Sequence, residues 1–231
     1  MGMTAADLIA ALEDVADPAK IQYVAKIFRG EDPDTRIMGV PMPKVFPVAK
    51  AFVGLPLTEI DALLDDPRYE VRMAAVSVMD FQARKKRLPD EDRKALFDLY
   101  LRRHDRLNNW DFVDRAAPHV IGEYLLDKDR SLLDRLARSE NPHERRTALV
   151  STFAFIRRGD VSDTFRIAEL LAEDADTYVQ KAIGSWTREA GKKSPDALIA
   201  FLNRNRHRLP RPTITAATEH LSDKQKAAFR M

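Results

Sequence analysis

Apolar side chains return along this chain at intervals of three and four residues, the period of a helix with one buried face. Nowhere do they alternate for long enough to make a strand. Leu8, Ile9 and Leu12 form the first such face. Thr4, with Asp7 three residues later, reads as an N-cap followed by an acidic first turn. Tyr23, Ile27 and Phe28 follow at helical spacing, and Pro41, Pro43 and Pro47 then break the pattern into a turn and a new helix running through Phe52. Leu57–Leu64 predicts a short amphipathic helix stopped by Asp65-Asp66-Pro67. Val71–Phe81 is apolar and rich in small residues, which predicts a buried helix, and Leu96, Leu99 and Tyr100 place another over Pro89–Leu101.

The helical pattern also repeats. Glu70-Val71-Arg72-Met73-Ala74 has the same form as Glu144-Arg145-Arg146-Thr147-Ala148, and Phe112–Ala116 and Tyr178–Ala182 fit the same frame. Each time a polar residue stands two before an alanine: Arg72, Asp114, Arg146 and Gln180, at successive spacings of 42, 32 and 34. A period of this size marks stacked helix pairs that bury alanine-rich faces on their neighbours. The expected fold is therefore all-α, a right-handed solenoid of HEAT-like helix pairs forming a single domain over residues 1–231. Its second helices would line a concave face suited to an extended partner such as a duplex.

Composition narrows the chemistry. Hydrophobic residues make up 45% and charged residues 32%, which is a folded rather than a disordered balance. There is no cysteine, so disulfides, thiolate zinc sites and cysteine nucleophiles are excluded. The N-terminus lacks the basic and apolar regions of a signal peptide and no run of about 18 apolar residues exists, so no membrane association and a cytoplasmic location are expected. A net charge of +2 indicates nucleic acid only if the 38 basic and 36 acidic side chains are sorted onto different faces. The five histidines, His104, His119, His143, His207 and His220, show no metal-ligand spacing, and no phosphate-binding glycine motif occurs; neither a metal nor a cofactor is expected.

Basic side chains cluster at Arg84–Arg87 and again at Arg204, Arg206, His207, Arg208 and Arg211. Either cluster suits phosphate contact, and either suits a solvated surface. The most unusual segment is Leu107–Asp114. Asn108 or Asn109 can cap a helix there, and Trp110 and Asp114, four apart, then share one face. Two readings fit the pair. One is a core tryptophan with its carboxylate neighbour paired to an arginine. The other is a cation site: an aromatic face attracts positive charge, and a carboxylate stabilises charge developing on a sugar during glycosidic cleavage.

Four segments, in order, resemble the AlkD-type DNA alkylation repair family. They are Ile37–Pro43, Leu107–Asp114, Ser139–Ala148, and Gln180–Gly184 with Arg188–Lys192. The resemblance runs from about Tyr23 to Leu221. It implies a HEAT-like monomer that binds double-stranded DNA carrying alkylated bases, and a glycosylase that removes cationic N3- and N7-alkylated purines without a base-flipping pocket. Carried over, Asp114 is the catalytic carboxylate, Trp110 contacts the lesion deoxyribose, and Arg146 binds the backbone or orients Asp114. Tyr23, Arg72, Lys181, Ser185, Trp186, Arg204, Arg206, Arg208 and Arg211 are the expected DNA contacts. The chain departs from the family at Ser185, where the family has a tryptophan. Trp186, one residue on, is rotated about 100° around the helix. That substitution keeps a second reading open, a HEAT-repeat protein that grips damaged, bent or branched DNA without cutting it.

Overall fold

A computed structural model describes residues 2–29 and 32–229. All regular structure among them is helical except one parallel bridge between Arg36 and Arg68. The chain divides into two compact units, Met1–Tyr124 and Leu125–Met231, where the repeat pattern suggested one continuous array. No helix among the described residues is long and apolar enough to cross a membrane.

In the first unit the helices are α1 (Ala5–Glu13), α2 (Ile21–Ala25), α3 (Met42–Ala51), α4 (Leu57–Leu64), α5 (Tyr69–Ala83), α6 (Asp90–Arg102) and α7 (Trp110–Ala117), the last running on into a π-helical turn over Pro118–Gly122. Thr4 caps α1 as its sequence predicts. Its hydroxyl accepts the Asp7 N–H, and its own N–H donates to the Asp7 carboxylate. α2 is shorter than the Tyr23–Phe28 spacing suggested and ends at Ala25.

α5 is the centre of this unit, packed by α3, α4 and α7. It is buried on nearly every side, including Glu70, Arg72, Ser77 and Asp80, each 0% exposed. A helix without a solvent face has to satisfy such side chains internally. Glu70 accepts the N–H groups of Met38, Gly39 and Val40 at 3.0, 2.9 and 3.1 Å. Gly39 makes that loop possible: its φ is +86°, and a Cβ there would stand 2.3 Å from the Asp17 carbonyl oxygen. Asp80 accepts from Arg84 at 2.9 Å and pairs with Arg115 at 3.0 Å and His119 at 2.8 Å. The Arg115 guanidinium also lies against the rings of Phe46 and Phe81, 4.6 Å from each centroid.

The second unit contains α8 (Ser131–Ala137), α9 (Pro142–Val150), α10 (Phe153–Arg157), α11 (Ser162–Leu170), α12 (Thr177–Lys193), α13 (Pro195–Asn205), α14 (Arg211–Ala217) and α15 (Asp223–Ala227). α12 is the central element here, packed by α9, α13 and α14. Asp176 caps it by accepting the Tyr178 and Val179 N–H groups, both at 2.8 Å. Gly184 lets α14 approach closely, since a Cβ would stand 2.8 Å from that of Ala216.

The repeat frame survives in three dimensions. Arg72, Asp114, Arg146 and Gln180 each sit four or five residues into their helices, α5, α7, α9 and α12. Three of the four are buried and tie down a neighbouring backbone or loop. Arg72 donates to Asp32 and Thr35, Arg146 to the Tyr178 carbonyl, and Gln180 to the carbonyls of Ala172 and Asp174. Asp114 is the exception, being half-buried.

Candidate active site around Trp110 and Asp114

The start of α7 is held by side chains rather than by an ordinary cap. Asn109 occupies the N-cap position with extended backbone, but its side chain accepts no backbone N–H of the helix. Its Oδ1 instead accepts the Arg29 N–H at 2.8 Å, and its Nδ2 donates to the Asp111 carboxylate. Trp110 Nε1 donates to the Ile27 carbonyl at 3.4 Å, and Asn108 reaches Asp32 at 3.4 Å. The Leu107–Asp114 segment is thereby fastened to the chain that follows α2. Trp110 is half-buried and one helical turn from Asp114, so an indole and a carboxylate share the outer face of α7.

Beside that pair, on the same turn, stands Asp111. Asp111 accepts the Tyr69 hydroxyl as well as the Asn109 amide. Tyr69 is 0% exposed and makes tilted ring contacts with Phe28 and Phe112, centroids 5.5 and 5.4 Å away. Burial pushes the Asp111 carboxyl up to about 6, with the Asp114 charge adding in the same direction. The same burial, with the Asp111 charge next, drives the Tyr69 hydroxyl far above its usual range, so it stays a donor.

The raised Asp111 value has a consequence for stability. In the unfolded chain this group titrates near the ordinary aspartate value of about 3.9. Its stabilising contribution is therefore full below about pH 4 and is lost as the pH rises through 6. The wild type is expected to gain stability on the order of 1 kcal/mol relative to Asp111→Asn between about pH 7.5 and about pH 5. Urea unfolding of both proteins at the two pH values measures this, and an unchanging difference would refute it.

The remaining expected contacts fall into two groups. Tyr23, 60% exposed, and Lys181, Arg204, Arg206 and Arg211 face solvent, with Arg208 half-buried. Several are engaged: Lys181 lies over the Tyr178 ring at 4.6 Å, Arg208 pairs with Glu173 at 3.1 Å, and Arg204 stands 3.6 Å from Glu169. Arg72, expected to touch DNA, and Arg146, expected to bind the backbone or orient Asp114, do not reach out to solvent. Arg72 is 0% and Arg146 6% exposed, and both guanidiniums are directed inward. Ser185 and Trp186 are half-buried. Trp186, expected as a DNA contact, packs on Phe153, ring centroids 5.2 Å apart. The basic run at Arg84–Arg87 begins with an arginine spent on Asp80.

The family described as DNA alkylation repair enzyme matches the chain over residues 8–221. A solved structure described as a predicted DNA alkylation repair enzyme from Enterococcus faecalis superposes with a TM-score of 0.69 at 17% identity, over 90% of this chain and 97% of that one. At that identity the likeness establishes the all-helical fold. No curated protein sequence matches significantly.

Proposed function

This chain belongs to the DNA alkylation repair enzyme family, and on that premise we propose that it is a DNA glycosylase that hydrolyses the bond between deoxyribose and a cationic N3- or N7-alkylated purine in duplex DNA. Asp114 carries the reading. Of the four equivalent frame positions it is the one half-buried side chain, and it stands one turn from Trp110.

The chemistry asks little of the protein. An alkylated purine already bears positive charge, so when the C1′–N9 bond breaks the bonding pair neutralises the departing base and no general acid is needed. The cation passes to the sugar, where Asp114 stabilises it and accepts a hydrogen bond from the attacking water. Water supplies the hydroxyl at C1′, and its proton leaves to solvent. Trp110 offers an aromatic face to the cationic nucleotide. Because Arg72 and Arg146 are committed internally, phosphate contact is assigned to Lys181, Arg204, Arg206, Arg208 and Arg211, with Tyr23 beside the backbone. Those contacts supply affinity that falls with salt and little base preference.

The test is release of free N7-methylguanine from methylated duplex DNA by the purified protein, followed by chromatography. Release supports the glycosylase. Salt-dependent duplex binding without release would select the second reading, a damage-binding protein. One observation favours that alternative: Trp186 is packed on Phe153, while the resemblance implies a tryptophan at the position held by Ser185.

A further inference from the structure

Trp110 and Asp114 both stand on α7, and the placement of that helix depends on how its first turn is held. The turn has no side-chain N-cap of its own. Both oxygens of Asp111 are engaged, one by the hydroxyl of Tyr69 on α5 and the other by the amide of Asn109. Asn109 in turn holds the Arg29 N–H, and the Ile27 carbonyl accepts from Trp110. One carboxylate therefore joins the central helix of the unit, the segment after α2 and the turn that bears the indole. Tyr69 cannot drift, because it is fully buried with its ring between Phe28 and Phe112.

We propose that Tyr69 and Asp111 are positioning residues for base release, the Tyr69 hydroxyl fixing the Asp111 carboxylate and through it the orientation of Trp110 and Asp114. This rests on the glycosylase reading and adds two residues to it. Neither touches the nucleotide. Their effect falls on the chemical step, because misplacing a reacting group by about 1 Å costs on the order of a hundredfold in rate, while affinity comes from phosphate contacts elsewhere. Asp111 acts as an acceptor of two hydrogen bonds, so its oxygens matter and its charge does not.

Three variants of the full chain test this: Tyr69→Phe, Asp111→Ala and Asp111→Asn. Tyr69→Phe keeps the packed ring and removes only the hydroxyl. It is expected to slow single-turnover release of N7-methylguanine by about ten- to a hundredfold, with duplex affinity and unfolding temperature near those of the wild type. Asp111→Ala loses activity similarly, while Asp111→Asn, which keeps an oxygen for Tyr69 but turns an amide toward that of Asn109, falls between Asp111→Ala and the wild type. The chain has 2 tryptophans, so an amide-nitrogen NMR spectrum shows one indole signal from each. In Tyr69→Phe the Trp110 signal moves and the Trp186 signal stays. An unmoved Trp110 signal, an unaltered rate, or an Asp111→Asn protein as slow as Asp111→Ala would each overturn the proposal. A wild-type protein that releases no base overturns the glycosylase reading, and the positioning role falls with it.

Discussion

On the glycosylase reading, Asp114→Asn is expected to lower the single-turnover rate of N7-methylguanine release by at least about a hundredfold and to leave duplex affinity within about threefold. The substitution keeps the size and shape of the side chain. What it removes is the negative charge that, in the proposed mechanism, meets the cationic sugar, an interaction stronger in the transition state than in the bound substrate. The position is half-buried on the outer face of α7, so the amide fits without disturbing the core. Trp110 and the solvent-facing basic residues, which hold the DNA in this scheme, are untouched. Single-turnover assays at saturating protein, with binding measured separately, resolve the two quantities. Parallel loss of rate and affinity would show that Asp114 organises the binding surface and does not assist bond cleavage.

The second large effect falls on stability. Glu70→Ala is expected to cost about 4 kcal/mol, because it strips three backbone N–H groups of a charged acceptor at a site closed to water. For a chain of this length that corresponds to a fall of roughly 10 °C in unfolding temperature. Glu70→Gln keeps one oxygen for the Gly39 and Val40 N–H groups but turns an amide toward Met38, so its loss is intermediate. Calorimetry of the three proteins checks the order. If Glu70→Ala melted within about 2 °C of the wild type, the loop from Met38 to Val40 would have another anchor.

Much of the fold could be read from local pattern. Leu57–Leu64 became α4 with those bounds, Thr4 caps α1, and the small-residue run at Val71–Phe81 is the buried α5. These features depend on neighbours within one or two turns, which a sequence displays directly. The repeat frame was legible for the same reason, and its polar positions fall at equivalent places in four helices. Periodicity does not reveal what covers a face, and the misplaced expectations follow from that. Arg72 read as a surface cation because nothing nearby predicted that Asp32 and Thr35, some 40 residues away, would fold over it. Arg146 turns inward likewise, its acceptor being a backbone carbonyl 32 residues on. Asn109 looked like an N-cap, and its backbone behaves as one, but its side chain is drawn to Arg29 and Asp111. Asp111 lay within the segment singled out for chemistry. Its partnership with Tyr69, 42 residues earlier, exists only once α5 and α7 are packed.

The burial of α5 on nearly every side also governs how the first unit opens. A surface helix can fray from its exposed face while its neighbours stay in place. α5 has no such face, and its backbone amides from Val71 to Met79 reach solvent only when α3, α4 and α7 separate from it together. Those amides should therefore exchange with heavy water more slowly than any others in the unit, at a rate set by its cooperative opening. Residues 38–40, pinned by Glu70, would exchange in step with them, although they lie in a loop. Exchange kinetics along the chain would thus trace the reach of one central helix, with a loop counted among the most protected parts of the unit.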